Sequence, residues 1–393
     1  MIEDSSRRKF LVAGIGVPAL LGSRTTSPAR TTDVPARPLS AAPRLDYRVL
    51  GKTGLKVTTL GFGTMITSDP SVIERAADLG VNYFDTARGY QSGNCERMVG
   101  AALKGRRNKV FLSTKSGAPT KEKALAELDT SLQELGTDHV DIWYLHGKSK
   151  PEDLKDELIE AQQMARKAGK IRFAGVSTHA GQKELAPAIV ARKDHFDVML
   201  TTYNFAMAPA IADSIRLVAE AELGVVAMKV MAGGERALRS NPDGERIKGI
   251  LKRDGGTLAA LKWVLRNDHV HTTIPSITDM DQLDENLRAM GAPFGASDEK
   301  MLESRLVQMG AHYCNMCGEC DGACAKGLPV ADVLRFYMYS ANYGEFGLGL
   351  EHFRGLPKHL QSVRCADCDD CTVNCPRGVR VVERLSRAQE CFG

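Results

Sequence analysis

The chain has 393 residues, of which 43% are hydrophobic and 25% charged, a composition typical of a globular protein. This length is enough for a domain of about 250 residues and a smaller second domain. With 52 Lys and Arg against 48 Asp and Glu, the net charge is +4, which argues against a nucleic-acid partner. The ten cysteines are clustered, because eight of them lie between positions 314 and 375.

Residues 1–43 have the features of a signal peptide and linker. Arg7 and Arg8 precede a Phe-Leu pair, and a weakly apolar run, too short to span a bilayer, continues to Leu21. This pattern resembles a twin-arginine export signal, which implies recognition by the export machinery and a periplasmic or other extracytoplasmic location. The alternative is a basic tail on a cytoplasmic protein.

From position 44 onward, short apolar segments alternate with amphipathic ones. Residues 47–57 predict a hairpin, and residues 120–136 and 151–168 predict helices because Leu and Ala recur every three or four positions. Strands are predicted at 59–61, 81–84, 109–113, 140–145, 171–176, 197–202, 224–229 and 270–274. Eight strands alternating with helices predict a (β/α)8 barrel over residues 44–312.

Four polar residues follow the second, third and fourth predicted strands. Asp85 and Tyr90 follow the second strand, Lys115 the third and His146 the fourth. The carboxyl ends of barrel strands meet at one mouth, where such folds place their chemistry. A tyrosine can deliver a proton to a carbonyl oxygen, a lysine paired with an aspartate can stabilise the phenolate, and a histidine can hold that oxygen.

The Asp-Thr-Ala-x-x-Tyr segment at 85–90, together with Lys115 and His146, resembles the aldo-keto reductases. The resemblance implies that Asp85, Tyr90, Lys115 and His146 are the catalytic residues. It also implies a small carbonyl substrate and a nicotinamide cofactor, either NADP or NAD.

The resemblance further implies a set of cofactor-binding residues near the mouth and after the later strands. They are Thr64, Met65, Ser177, Thr178, Met228, Lys229, Ser276, Gln282, Glu285 and Asn286. Leu200 stands where many members carry a glutamine, and Lys229 and the loop at 233–234 lie where the pyrophosphate would run. Ser276 and Gln282 replace the Lys and Arg of many NADP-specific members, so NAD(H) is the alternative to NADP(H).

Two cysteine runs share the spacing C-x2-C-x2-C-x3-C, and Pro376 follows the second run. The pattern resembles the two-cluster bacterial ferredoxins and implies two [4Fe–4S] clusters in a domain spanning 313–393. One cluster would take Cys314, Cys317, Cys320 and Cys375, and the other Cys365, Cys368, Cys371 and Cys324. Zinc and disulfides are the alternatives, although neither usually repeats this spacing. Cys95 and Cys391 lie outside both runs and are predicted to be free thiols.

These features predict an oxidoreductase that reversibly reduces an aldehyde, ketone or sugar carbonyl with a nicotinamide cofactor. The clusters would either exchange electrons with a redox partner protein or have a structural role. The alternative is a redox-sensing or electron-carrier protein whose barrel binds nicotinamide without efficient turnover.

Overall fold

The computed structural model describes residues 44–232, 255–309, 313–314 and 319–393. The predicted signal segment, the loop at 233–234 and Cys317 lie outside the described residues. Within the described part of the chain, no helix is long and apolar enough to cross a membrane.

The predicted hairpin is confirmed. Strands β1 (Tyr47–Val49) and β2 (Lys56–Thr58) pair antiparallel across a single 3-10 turn, Gly51–Thr53. Gly51 has a φ of 51°, and a Cβ there would come within 2.4 Å of the backbone nitrogen of Gly224, so only glycine allows this close approach. The hairpin therefore closes the end of the barrel opposite the mouth.

Eight parallel strands of the described residues form one sheet, in which each strand pairs with the next along the chain. They are β3 (Phe62–Gly63), β4 (Tyr83–Asp85), β5 (Phe111–Ser116), β6 (Val140–Leu145), β7 (Ile171–Thr178), β8 (Val198–Thr202), β9 (Gly224–Met228) and β10 (Thr272–Thr273). Parallel bridges from Leu60 to Thr273 and from Gly63 to Ser276 join the two edges. The sheet is therefore closed, and the predicted (β/α)8 barrel is confirmed.

The barrel strands alternate with helices that cover the outside of the sheet. Those described are α1 (Pro70–Asp78), α2 (Asn94–Ala102), α3 (Lys121–Leu135), α4 (Asp156–Lys167), α5 (Gln182–Val190), α6 (Ala210–Glu220), α7 (Gly256–Leu265), α8 (Met280–Leu287) and α9 (Ala296–Met309). The helix predicted at 151–168 is shorter than expected, because Pro151–Asp153 forms a separate 3-10 turn. The Asp153 carboxylate accepts from the backbone of Ser149 and Lys150, which holds that turn apart from α4.

The part of the chain that follows the barrel adds four helices among the described residues. They are α10 (Val330–Ala341), α11 (Phe346–Arg354), α12 (Lys358–Gln361) and α13 (Val381–Phe392). Residues 330–354, which contain α10 and α11, are called the cap here. Apolar side chains of the cap share one buried cluster with Phe205 and Ala206, which follow strand β8, and α11 also contacts the 3-10 turn Tyr90–Gly93. The cap therefore lies over the mouth of the barrel.

Candidate active site

Lys115 lies at the centre of a buried cluster of polar side chains at the mouth. Its ammonium donates to the Asp85 carboxylate, to the Thr86 carbonyl at 2.7 Å and to the Tyr90 hydroxyl at 3.3 Å. The hydroxyl of Ser113 donates to the other Asp85 oxygen at 2.7 Å. Asp85 and Ser113 are register partners on β4 and β5, so the strand pairing itself sets this geometry.

Burial and charge set the protonation of this group. Burial raises the pKa of the Asp85 carboxyl and lowers that of the Lys115 ammonium, while the attraction between the two opposes both shifts. Burial, and then the nearby Asp85, raises the pKa of Tyr90 well above its usual 10. The Tyr90 hydroxyl is therefore protonated at neutral pH and able to donate.

His146 completes the predicted set of four. Its ring meets the Tyr90 ring edge-on, with 5.9 Å between centroids. Burial, and then the charge of Lys115, lowers the pKa of His146 well below 6.5, so the ring is neutral and can donate one hydrogen bond at neutral pH. The structure thus brings Asp85, Tyr90, Lys115 and His146 together at the mouth. The sequence analysis missed His179, whose ring centroid lies 6.5 Å from that of His146.

The loop after Tyr90 has an unusual backbone. Gln91 and Ser92 have φ values of 49° and 53°, in the left-handed region that residues other than glycine seldom adopt. The Gln91 side-chain amide donates to the carbonyls of Met65 at 3.2 Å and Thr67 at 2.9 Å. The strained turn is thereby tied to the loop after β3, which fixes the position of Tyr90.

A cleft of about 370 Å³ opens beside Tyr90 and His179. Eight of the predicted cofactor residues line it: Thr64, Met65, Met228, Lys229, Ser276, Gln282, Glu285 and Asn286. Ser177 and Thr178 are not among the lining residues. The Ser177 hydroxyl accepts from the amide of Gly147, and the Thr178 hydroxyl donates to the carbonyl of Ala180. Leu200 lies in the apolar interior of the barrel.

One end of this cleft lies at the start of α8. Asp279 caps the helix, accepting from the backbone amide of Gln282 at 2.8 Å and from its side chain at 2.9 Å. The Gln282 side chain is thus occupied by capping. Asn286 is only 2% exposed, and its side-chain oxygen has no hydrogen-bond partner. A buried acceptor without a donor fits a ligand with an amino group, such as the adenine of a nicotinamide cofactor.

The cap supplies side chains to the mouth that the sequence analysis did not anticipate. Arg335 on α10 donates to the Tyr339 hydroxyl at 3.0 Å and to Asp332 at 2.7 Å. The ammonium of Lys229, which follows β9, lies 4.8 Å from the centroid of the Tyr339 ring. An apolar stripe predicts the helix at 330–339 but not which surface it covers, so the sequence held no signal for this contact.

The two cysteine runs lie close together. Burial raises the pKa of the Cys365 thiol, and three neighbouring thiols raise it further, those of Cys324, Cys368 and Cys371. The Thr372 hydroxyl donates to the carbonyl of Ala323, which joins the second run to the first. Cys314, Cys320 and Cys375 belong to or pack against the apolar cluster beneath the cap.

The thiols suit an iron–sulfur cluster. Among the described residues, no three Cys, His, Asp or Glu side chains are placed to hold a single metal ion. A four-iron cluster takes one thiolate on each iron, so its ligands need not meet at one ion, and soft thiolates are its usual ligands. Outside the runs, burial raises the pKa of Cys95 to about 12, which makes it unreactive.

The comparisons with known proteins agree with this architecture. Residues 59–306, more than half of the chain, match the aldo/keto reductase family, and residues 313–379 match the 4Fe-4S dicluster domain. The chain therefore belongs to the aldo/keto reductase family, and it is an oxidoreductase with a C-terminal 4Fe-4S dicluster domain.

Individual relatives are distant in sequence, but each match covers most of the relative's length. An uncharacterized oxidoreductase of Bacillus subtilis is 27% identical over 300 residues, which is 66% of this chain and 96% of the relative. The L-glyceraldehyde 3-phosphate reductase of Escherichia coli is 22% identical over 305 residues, 63% of this chain and 88% of that protein. A holo-form aldo-keto reductase structure from Bacillus halodurans is 28% identical, covers 66% of this chain and 96% of its own, and has a TM-score of 0.57.

A partly buried histidine of the cap, His352, predicts a loss of stability in acid. Burial, and then the charge of Arg335, lowers the pKa of His352 from 6.5 to about 3. Below about pH 6.5 the unfolded chain binds a proton here that the folded chain does not, so the free energy of unfolding falls as the pH falls. At about pH 5.5 this histidine should account for about 1 kcal/mol of the loss.

Unfolding of anaerobic protein should therefore depend less on pH in His352→Asn than in the wild type, whatever the variant's stability at neutral pH. The exposed His359 is the control, and His359→Asn should keep the wild-type slope. Equal slopes in all three proteins would contradict the prediction.

Proposed function

We propose that the chain catalyses the reversible, nicotinamide-dependent reduction of an aldehyde, ketone or sugar carbonyl at the Tyr90 site. The observation that carries this proposal is the buried Lys115 ammonium, which contacts the Asp85 carboxylate and the Tyr90 hydroxyl at once. A protonated phenol beside a fixed ammonium is suited to giving up its proton to a developing alkoxide.

Each of the four residues has a distinct role in the proposed reaction. When bound, the reduced cofactor supplies a hydride to the carbonyl carbon. The neutral His146 ring donates a hydrogen bond to the carbonyl oxygen, and Tyr90 delivers a proton to that oxygen as negative charge develops on it. The Lys115 ammonium then stabilises the Tyr90 phenolate, and Asp85 holds the ammonium in position.

Replacing Tyr90 with Phe tests this role directly. The ring and its packing remain, but the proton is lost, so kcat for carbonyl reduction should fall by about 10²–10⁴-fold. Steady-state kinetics on a panel of aldehydes, with nicotinamide oxidation followed by absorbance, measures the effect.

A matched control is Tyr203→Phe, because Tyr203 is buried but bonds to Asn267 and lies outside the Tyr90 group. It should retain wild-type kcat. Activity of Tyr90→Phe within about twofold of the wild type would exclude Tyr90 as the general acid.

We also propose that the cofactor is NAD(H) rather than NADP(H). The N-terminus of α8 attracts anions, but the carboxylate of Asp279 already occupies it as the cap. Asp281 adds a second negative charge in the first turn, and the side chain of Gln282 is engaged with Asp279. A 2′-phosphate, which carries about two negative charges, would meet like charge at this end of the cleft.

The kcat/KM for NADH should accordingly exceed that for NADPH by about tenfold or more. Asp279→Ser keeps a capping hydroxyl but removes the negative charge, so it should reduce the preference for NADH over NADPH. Asp284→Ser removes an exposed charge from the same helix and should leave the preference unchanged. A wild-type preference for NADPH would refute this assignment.

We propose further that the cysteine runs hold two [4Fe–4S] clusters. One would be bound by Cys314, Cys317, Cys320 and Cys375, and the other by Cys324, Cys365, Cys368 and Cys371. The closeness of Cys324 to Cys365 in the second run supports the exchange of the last ligand between runs. Bound clusters would supply one-electron chemistry beside a site that transfers electrons in pairs.

Cys371→Ala should lower the iron and sulfide content of anaerobically purified protein from about eight of each to about four. Cys391→Ala, outside the runs, should keep the full content. Electron paramagnetic resonance after dithionite should detect reduced clusters, and a signal after NADH alone would support electron exchange with the barrel. Full iron content in Cys371→Ala would overturn the ligand assignment.

A further inference from the structure

Two cations meet at the mouth of the barrel, one from each part of the chain. Lys229 follows strand β9 of the barrel, and Arg335 belongs to α10 of the cap. Arg335 donates to the Tyr339 hydroxyl at 3.0 Å, and the Lys229 ammonium lies over the ring of the same tyrosine, 4.8 Å from its centroid. Lys229 and Arg335 are called the cation pair here, and Tyr339 lies between them.

The charge of the cation pair is only partly compensated. Asp332 pairs with Arg335 at 2.7 Å. Among the described groups that act most on Lys229, Tyr339 favours the charged ammonium, whereas the positive charges of Arg335 and Lys115 oppose it. Lys229 is partly buried and lies near the charges of Arg335 and Lys115, so an anionic ligand would be stabilised beside it.

Arg335 also has one hydrogen-bond donor without a partner. The residue is only 7% exposed, yet its Nε atom has no hydrogen-bond partner. Buried donors in native proteins are nearly always paired, so an unpaired one indicates a missing acceptor. A carboxylate or phosphate oxygen is the acceptor that a guanidinium binds most strongly.

The cation pair is close to the reacting groups. Lys229 lines the same cleft as Tyr90, and the charge of Arg335 acts on both Tyr90 and His146. The backbone of Lys229 is held in place, because the side-chain amide of Asn204 donates to its carbonyl at 3.0 Å. A small ligand held by the cation pair would therefore lie within reach of Tyr90.

We propose that Lys229 and Arg335 form an anion subsite that binds a carboxylate or phosphate group on the carbonyl substrate. This inference rests on the carbonyl reductase function proposed above and names the class of substrate. The cap thus contributes directly to specificity: the barrel supplies the reacting residues, and the segment between the cysteine runs supplies a charge that selects anionic substrates.

The test compares pairs of aldehydes in which one member carries an anionic group and the other does not. Succinic semialdehyde is matched with butanal for the carboxylate, and glyceraldehyde 3-phosphate with glyceraldehyde for the phosphate. In the full-length, cluster-loaded protein, the anionic member of at least one pair should have the higher kcat/KM, and which pair shows it identifies the anion. Arg335→Met should raise KM for that substrate by about 10- to 100-fold while changing kcat/KM for the neutral partner little.

Controls separate this effect from a loss of folding. Arg335→Lys keeps the charge and should recover part of the affinity, and Arg387→Met removes an exposed surface arginine and should match the wild type. Iron content and circular dichroism verify that each variant is folded. Equal kcat/KM within both pairs would overturn the proposal, as would a rise in KM for the nicotinamide cofactor alone.

A second readout does not depend on turnover. Calorimetric titration with succinate, which cannot react, should show binding that Lys229→Met weakens and Tyr90→Phe leaves unchanged. Succinate binding without any carbonyl reduction would mean that the proposed activity is wrong and the anion subsite correct. If neutral and anionic aldehydes are reduced equally well and succinate does not bind, the proposed reductase activity is correct and the anion subsite is wrong.

Discussion

The buried ammonium of Lys115 is the constraint on which the site depends. A lysine without exposure to water requires a carboxylate and further acceptors, and Asp85, Thr86 and Tyr90 supply them. Asp85 and Lys115 come from adjacent strands, so their pairing is set by the sheet and not by a loop. The phenol that contacts this ion pair is held by a strained turn, which the rest of the barrel must stabilise.

Side chains of both the barrel and the cap form the mouth. Tyr90, His146 and Lys229 belong to the barrel, and the cap packs over the mouth where they lie. With α10 and α11 in place, Tyr90 is buried and His146 and Lys229 are partly buried, so water screens the charges at the mouth less. The shifts of His146 and His352 toward the neutral form follow from this burial and from the charge of Arg335.

Much of the architecture was predictable, because it depends on local patterns. The alternation of apolar strands and amphipathic helices predicted the barrel, and the strand ends predicted where Asp85 and Lys115 would meet. What the sequence could not indicate depends on tertiary contacts: the hydroxyls of Ser177 and Thr178 bond to neighbouring backbone, and the helical pattern of the cap does not say which surface the cap covers. The engagement of Gln282 could have been found, since Asp279 three residues before it matches a capping box.

The position of the cap in the chain has a consequence for how the protein is made. Residues 44–309, which contain the barrel elements, leave the ribosome before residues 330–354 do, and domains generally fold in that order. The barrel is therefore synthesised with its mouth uncovered, and the second cysteine run follows only after the cap. During that interval the mouth is open to solvent from above, whereas in the finished protein it lies beneath α10 and α11.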